Sequence, residues 1–288
     1  MMRWSVGFFM MIWVTAAWSQ QDTPNACEMQ ALTITMVPEK NIDEQIRAHQ
    51  PLIRLLGEKL GMPVEIIRAT SYESVIDSMV SGAVDLAVMG PAAYMMAFQR
   101  NPDIEAFASL AQAGGLYSPA GSYYNSILLV NHGSGIRTIE DLRGKRVALG
   151  DPASTSGAVV PRAEFPEVVG EGLDTYFESL LYAGAHDKAL NALLENRVDG
   201  AFVASTRADA YLKKGLINEE SFRVLWSSRP LHFDPFVFRA GLCPIIRERI
   251  RAVLMAPSPD RQAYLENLNA TDITPVSHTD YQHLQELL

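Results

Sequence analysis

Cysteine is scarce: the 288 residues include only Cys27 and Cys243. With no C-x-x-C pair and no close His/Cys spacing, a structural zinc site has no ligand set to build on. Positive charge is also thin, at 24 Lys+Arg against 33 Asp+Glu, for a formal charge of −9 and no basic run of five. Counterion release needs clustered cations, so a nucleic-acid footprint is not expected. No glycine-rich loop ends in Gly-Lys-Ser/Thr, and no Gly-x-Ser-x-Gly elbow presents a serine nucleophile. No metal and no cofactor is expected. What remains, 48% hydrophobic and 20% charged, suits one large or two ordinary globular domains and not a disordered chain.

The longest apolar stretch stands at the start. Arg3 precedes Val6 to Trp18, thirteen positions with Thr15 as the only polar side chain, and Ala17-Trp18-Ser19 has the small residues of a signal-peptidase site. The stretch is shorter than the ~20 residues that span a bilayer. Residues 1–19 are therefore expected to be a cleaved secretory signal and the mature protein to be periplasmic, its charge becoming −10 with the loss of Arg3. In an oxidising compartment Cys27 and Cys243 can form a disulfide. Two unpaired thiols fit the sequence equally well.

From Ala31 short apolar runs alternate with amphipathic ones, the habit of βαβ units. Leu32 to Val37 reads as a strand stopped by Pro38. Ile42 to Leu60 reads as a helix with Ile46, Ile53, Leu56 and Leu60 on its apolar face and Gly61 at its end; Pro51 implies a kink or a second start. Val64 to Ile67, the helix after Ser71, and Val84 to Met89 complete β-α-β-α-β. An echo follows at an offset of 114 residues: Gly82-Ala-Val-Asp-Leu-Ala-Val and Asn196-Arg-Val-Asp-Gly-Ala-Phe share a Val-Asp-x-Ala core, each after a helix of similar length. The offset sets Tyr72 opposite His186, both at strand-to-helix turns where α/β sheets bind ligands. Two similar lobes with facing helix starts imply a cleft between them.

Asp151-Pro-Ala-Ser-Thr-Ser-Gly157 follows a strand and offers hydroxyls and free amides at a helix start, an arrangement that favours an anion. A Ser/Thr cap with no ligand satisfies the same pattern. Of the histidines, His49, His132, His278 and His283 sit in polar or turn-like surroundings and read as solvated. His232, near Asp234, stays open, and Tyr94 fits either the cleft or the packing.

Taken in order, Ser71 to Met79, Val84 to Tyr94, Tyr124-Asn125-Ser126, Asp141 to Lys145, Gly150 to Gly157, Gly184 to Asp187 and Phe233-Asp234-Pro235 resemble the phosphonate/phosphite-binding family of periplasmic substrate-binding proteins of ABC importers. The resemblance implies an α/β, two-lobed periplasmic-binding-protein (type II) fold. Each lobe would be a mixed, mostly parallel sheet flanked by helices, and two strands would form the hinge. Lobe 1 would be residues 31–122 plus 227–288 and lobe 2 residues 123–226; a disulfide, if formed, would lie inside lobe 1. It implies Tyr72 and Tyr124 as hydroxyl donors and cleft walls, Ser154, Thr155 and Ser156 as an oxyanion cradle, and His186 as a further oxygen ligand. Asp234 matches an acid that faces the amine of amino-phosphonates. Thr206 stands where a second such acid is expected, which favours phosphite, methylphosphonate or phosphate over aminoethylphosphonate.

The function expected is a monomeric, non-enzymatic receptor that captures a small phosphorus oxyanion and delivers it to a membrane permease. A sensor of the same fold, read by a membrane kinase, is the alternative. A hydrolase using the Ser154–Ser156 turn with His186 as base is disfavoured, since only the sequence-adjacent Asp187 could orient the histidine.

Overall fold

The computed structural model describes Met1, Cys27 and residues 29–288. Beyond Met1, the expected signal segment lies outside the described residues. Among the described residues, thirteen strands form two sheets and a ribbon: β1 Leu32–Met36, β2 Val64–Ile66, β3 Leu86–Val88, β4 Glu105–Gln112, β5 Tyr123–Tyr124, β6 Ser126–Asn131, β7 Arg146–Leu149, β8 Ser179–Tyr182, β9 Gly200–Ala204, β10 Phe222–Ser227, β11 Leu231–His232, β12 Pro235–Phe238 and β13 Ala270–Pro275. The first sheet runs β13-β4-β12-β3-β1-β2 and the second β10-β6-β9-β7-β8. Between them β5 pairs antiparallel with β11. This is an α/β architecture, two sheet-centred lobes joined through a two-strand ribbon.

Parallel pairing is confined to β2-β1-β3 and β8-β7-β9. The sheets are thus mixed but not mostly parallel, and the chain path explains it. β4 leads toward the ribbon and β12 comes back from it, so the two pair antiparallel. β6 leaves the ribbon and β10 returns to it, with the same result in the second sheet.

Apolar faces pack on both sides of each sheet; in the first, the Phe107 and Phe238 rings stack at 3.8 Å. Helix Ile42–Leu60 is capped by Asn41, whose side chain accepts from the Asp43 and Glu44 N–H groups, and ends at Gly61 with φ 72°. It runs through Pro51 as one element, with no second start. Its buried face is Gln45, His49, Leu52, Leu55, Leu56 and Leu60, while Ile46 and Ile53 are only partly covered. His49 is therefore a core residue and not a solvated one: it sits one helical turn from Gln45, beneath the neighbouring helix, with its ring 5.3 Å from that of Tyr264. Cys27 and Cys243 form a disulfide, with Cα atoms 5.4 Å apart and a separation of 216 positions in sequence.

Candidate functional site

The carboxyl ends of the strands, with the helices that follow them, converge on one small cavity of about 20 Å³ between the two sheets. Tyr72, Tyr124, Ser154, Thr155, Ser156, His186 and Asp234 all line it, joined by Glu39, Gly90, Ala204, Thr206 and Phe233. The seven residues singled out in the sequence are all buried.

Tyr72 is the first residue of helix Tyr72–Ser81, which Ser71 caps by accepting from the Ser74 N–H at 3.1 Å. His186 likewise opens helix His186–Leu194. The two halves of the sequence echo therefore deliver an aromatic ring each to the same cavity. Tyr124 comes from the ribbon strand β5.

The serine-threonine turn enters as a π-helical segment, Thr155–Val159. Ser154 caps it, its Oγ accepting from the Gly157 N–H at 3.2 Å. Gly157 sits so close to β7's end that a Cβ there would lie 2.9 Å from Ser154 Oγ and 3.0 Å from Gly150 Cα. Only glycine leaves that space. Thr155 Oγ1 accepts from the Ala92 N–H at 2.8 Å. The oxygens of Ser154 and Thr155 are thus already accepting, which frees their hydrogens for another acceptor. Tyr124's phenol lies beside the Thr155 and Ser156 hydroxyls, yet Ser156 Oγ, fully buried, reaches no partner in hydrogen-bonding geometry among the described residues.

His186 Nδ1 accepts from the Ala204 N–H at 3.3 Å, and Nε2 lies 3.3 Å from Ser154 Oγ. A ring nitrogen that accepts from an N–H carries no proton, so the neutral ring bears its hydrogen on Nε2, facing the serine turn. Burial, aided by the Arg207 charge and opposed by Glu39, lowers the His186 pKa to about 4. The sequence alone leaves room for a protonated His186; the structure makes it a neutral donor. Burial likewise holds His49 at about 4. Both groups favour the folded state above the unfolded pKa of about 6.5 and withdraw that support as pH falls toward 4, each tenfold rise in proton activity over that interval removing about 1.4 kcal/mol per histidine. We expect the His186 ring resonances to stay fixed from pH 8 to 5 in an NMR titration; a midpoint near 6.5 would show a cationic site instead.

The phenols of Tyr72 and Tyr124 are raised well above their usual pKa, chiefly by burial and then by the nearby carboxyl charges, so both remain donors. In the same cavity lining, the carboxyl groups of Asp234 and Glu39 hydrogen-bond to each other. Burial, then Glu39, pushes Asp234 well up, so it keeps a proton. Burial works against the Glu39 charge too, but Arg207, the hydrogen bond from Asp234, His186 and Lys40 outweigh it and lower its pKa. Glu39 is the functional candidate missed by sequence reasoning. It stands just past β1 and Pro38 and brings a second carboxyl to the cavity beside Asp234.

Hydrogen bonds close one side on the other, beside the cavity through Tyr72 N–H to Asp151 Oδ2 (3.3 Å), Ala92 N–H to Thr155 Oγ1 (2.8 Å), His186 N–H to the Glu39 carbonyl (3.1 Å) and Asn41 N–H to Asp187 Oδ2 (2.9 Å), and farther out through Asp209 to Tyr117 and Ser118, Lys213 to Asn269 and Lys214 to Glu44. Tyr94 and His232 lie outside the cavity lining. Tyr94 is buried with its hydroxyl 3.1 Å from His278 Nδ1, and His232 packs on Tyr123 and Tyr281. His278 stacks on Phe98 at 3.9 Å and so is not freely solvated.

Residues 34–281 match the family described as ABC transporter, phosphonate, periplasmic substrate-binding protein. The phosphate-import protein PhnD of Mycolicibacterium smegmatis is 25% identical over 295 positions, covering 95% of this chain and 91% of its own. The phosphonates-binding periplasmic protein of Escherichia coli is 30% identical over 224 positions, covering 76% and 64%. Among solved structures, a binding-protein component of an ABC phosphonate transporter from Pseudomonas aeruginosa has a TM-score of 0.80 at 21% identity, over 90% of this chain and 86% of that one. A methylphosphonate complex from Prochlorococcus marinus has a TM-score of 0.78 at 16% identity, over 90% and 97%. At these identities the structural likeness is one of fold.

Proposed function

We propose, given that the chain belongs to the phosphonate family of periplasmic substrate-binding proteins of ABC transporters, that it captures the tetrahedral head of a phosphonate or related phosphorus oxyanion in the small cavity and hands it to a membrane permease. The observation that carries this reading is the buried, unpartnered Ser156 Oγ among hydroxyls whose oxygens are already engaged. Such a wall has hydrogens to give and little left to accept, which suits an oxyanion. Ser154, Thr155, Ser156, Tyr72, Tyr124 and His186 Nε2 would share the oxygens. Among the described residues no Lys or Arg lines this cavity, so recognition rests on neutral donors, whose placement discriminates by leaving an unpaired group when the ligand is wrong, at about 1–3 kcal/mol each.

The lobes we propose are residues 31–122 with 227–288, and 123–226, hinging at β5 and β11 and closing through the hydrogen bonds above. Residues 1–19 would direct export and be removed, and the receptor would act as a monomer.

The fourth substituent on phosphorus would face Asp234 and Glu39. Thr206 by itself argued for phosphite, methylphosphonate or phosphate; Glu39 restores a carboxyl pair and brings amino-phosphonates back into range. An ammonium there takes the place of the proton held by Asp234, so its binding releases that proton and tightens as pH rises.

Titration calorimetry with methylphosphonate, phosphite, phosphate, 2-aminoethylphosphonate and sulfate tests this. We expect micromolar or tighter binding of at least one phosphorus oxyanion. Sulfate should bind at least about a hundredfold more weakly. Sulfate binding equal to the best phosphorus ligand, or no heat from any of them, would overturn the reading.

A further inference from the structure

Helix Ser205–Lys213 follows β9 of the second sheet, and Thr206 in its first turn lines the small cavity. Asp209, three residues on, lies outside that lining and meets the first sheet's side instead. Its carboxylate accepts from the Tyr117 N–H at 3.0 Å and from the Ser118 hydroxyl. Both donors belong to the loop between β4 and β5. That loop is rooted in the first sheet: Gln112, the last residue of β4, and Gly121 exchange backbone hydrogen bonds at 2.8 and 3.0 Å, and Ala113 N–H donates to the Asn269 carbonyl just before β13 at 3.0 Å. Its tip reaches across, with Tyr117 packed against the core cluster of Ile127, Leu129 and Ala208 on the second sheet.

Lys213, four residues after Asp209 and so on the same helix face, donates to Asn269 Oδ1 at 2.8 Å, and Lys214 pairs with Glu44. Exposed charged side chains of this kind hold little. The partly buried Asp209 carboxylate, with two donors, is the firmer contact. Gly115 shows that the loop is shaped to receive it. A Cβ there would overlap all three atoms of the Asp209 carboxyl group, even the farthest at 2.6 Å. Gly115 does not have a positive φ, so the loop by itself accepts alanine. What requires glycine is the approach of a side chain from the other sheet's side. Gly115, Tyr117 and Ser118, like Asp209, lie outside the lining of the small cavity.

On the reading that the small cavity holds the phosphorus head between closing lobes, we propose that Asp209, seated on Gly115, Tyr117 and Ser118, is the latch of the closed receptor. It is a positioning residue: it sets how long a ligand is held and takes no part in choosing it. Closure brings the carboxylate to its two donors, and opening breaks both bonds. A ligand enclosed between the lobes leaves only through that opening, so the latch lengthens the retention of every ligand by the same factor.

Calorimetry and release kinetics on the mature protein test this. Methylphosphonate, phosphite, phosphate and 2-aminoethylphosphonate are titrated into the parent, Gly115→Ala, Asp209→Ala and the double variant, and release of isotope-labelled ligand is followed after a chase with unlabelled ligand. We expect each single variant to weaken every ligand that the parent binds by one common factor, on the order of tenfold, through faster release at an unchanged association rate. The double variant should also lose about tenfold and not a hundredfold, because both changes remove one contact. Gly115→Ala removes no charge and adds only a methyl group to an exposed loop, which keeps the test open if Asp209→Ala misfolds. A lesion of folding alone would lower the melting midpoint and the binding-competent fraction and leave release from the remaining molecules as in the parent. Parent-like release in both single variants, a loss confined to one of the ligands bound, or multiplied losses in the double variant would overturn the latch alone. A parent that binds none of the four would overturn the headgroup reading, and the latch with it.

Discussion

Ser156→Ala should weaken phosphonate binding about ten- to a hundredfold and leave the melting temperature of the ligand-free protein unchanged or slightly raised. A hydrogen bond to a charged group is worth about 1.5–3 kcal/mol, and deletion removes one from the complex. Nothing comparable is removed from the free protein, because Ser156 Oγ has no partner there. The turn itself is held through the backbone: the Ser156 carbonyl accepts from Ser126 Oγ at 2.6 Å and Gly150 N–H donates to the Gly157 carbonyl at 2.8 Å. Ser154→Ala is the contrast. Its Oγ accepts from Gly157 N–H and meets His186 Nε2, so that change should lower both stability and affinity. A Ser156→Ala protein that melts lower and binds as before would assign the residue to the scaffold.

Cys27→Ser with Cys243→Ser, or reduction of the parent, should cost several kcal/mol of stability and little affinity. The bridge closes a loop of more than two hundred residues, for which the loss of chain entropy in the unfolded state amounts to about 5 kcal/mol, against about 2–4 kcal/mol in typical measurements. For a domain of this size the melting midpoint would fall on the order of 5–15 °C. The link ties the segment before β1 to the start of helix Pro244–Met255, both on the first sheet's side and outside the cavity lining. Identical midpoints with and without reductant, in protein shown to start oxidised, would contradict this.

What is legible in the sequence is the part encoded locally. The Ser154-Thr155-Ser156-Gly157 run announces a capped turn because small hydroxyl residues and glycine are what such a turn requires. Tyr72 and His186 are paired by the Val-Asp-x-Ala echo, a chain-level regularity that survives as matching helix starts. Glu39 escapes because it belongs to no motif: its importance comes from Asp234 and Arg207, 195 and 168 residues farther along the chain. The available signal is topological, a carboxylate just past the end of the first parallel strand, where ligands gather. His49 is misjudged by its polar neighbours in sequence. Its spacing of four from Gln45 and three to Leu52 places it on the buried stripe, and reading Ile46 and Ile53 as that stripe rotates the face by one position. The protonation of His186 depends on one backbone N–H, from Ala204, which no sequence pattern reveals.

The most direct test of the account is a crystal structure of the mature protein grown with methylphosphonate. The account places phosphorus in the cavity between the lobes. At least one oxygen should lie within hydrogen-bonding distance of Ser156 Oγ and another of His186 Nε2, with the methyl group turned toward Glu39 and Asp234. Phosphorus found elsewhere, or seated with its oxygens against the carboxyl pair and its methyl group on the serine turn, would contradict it.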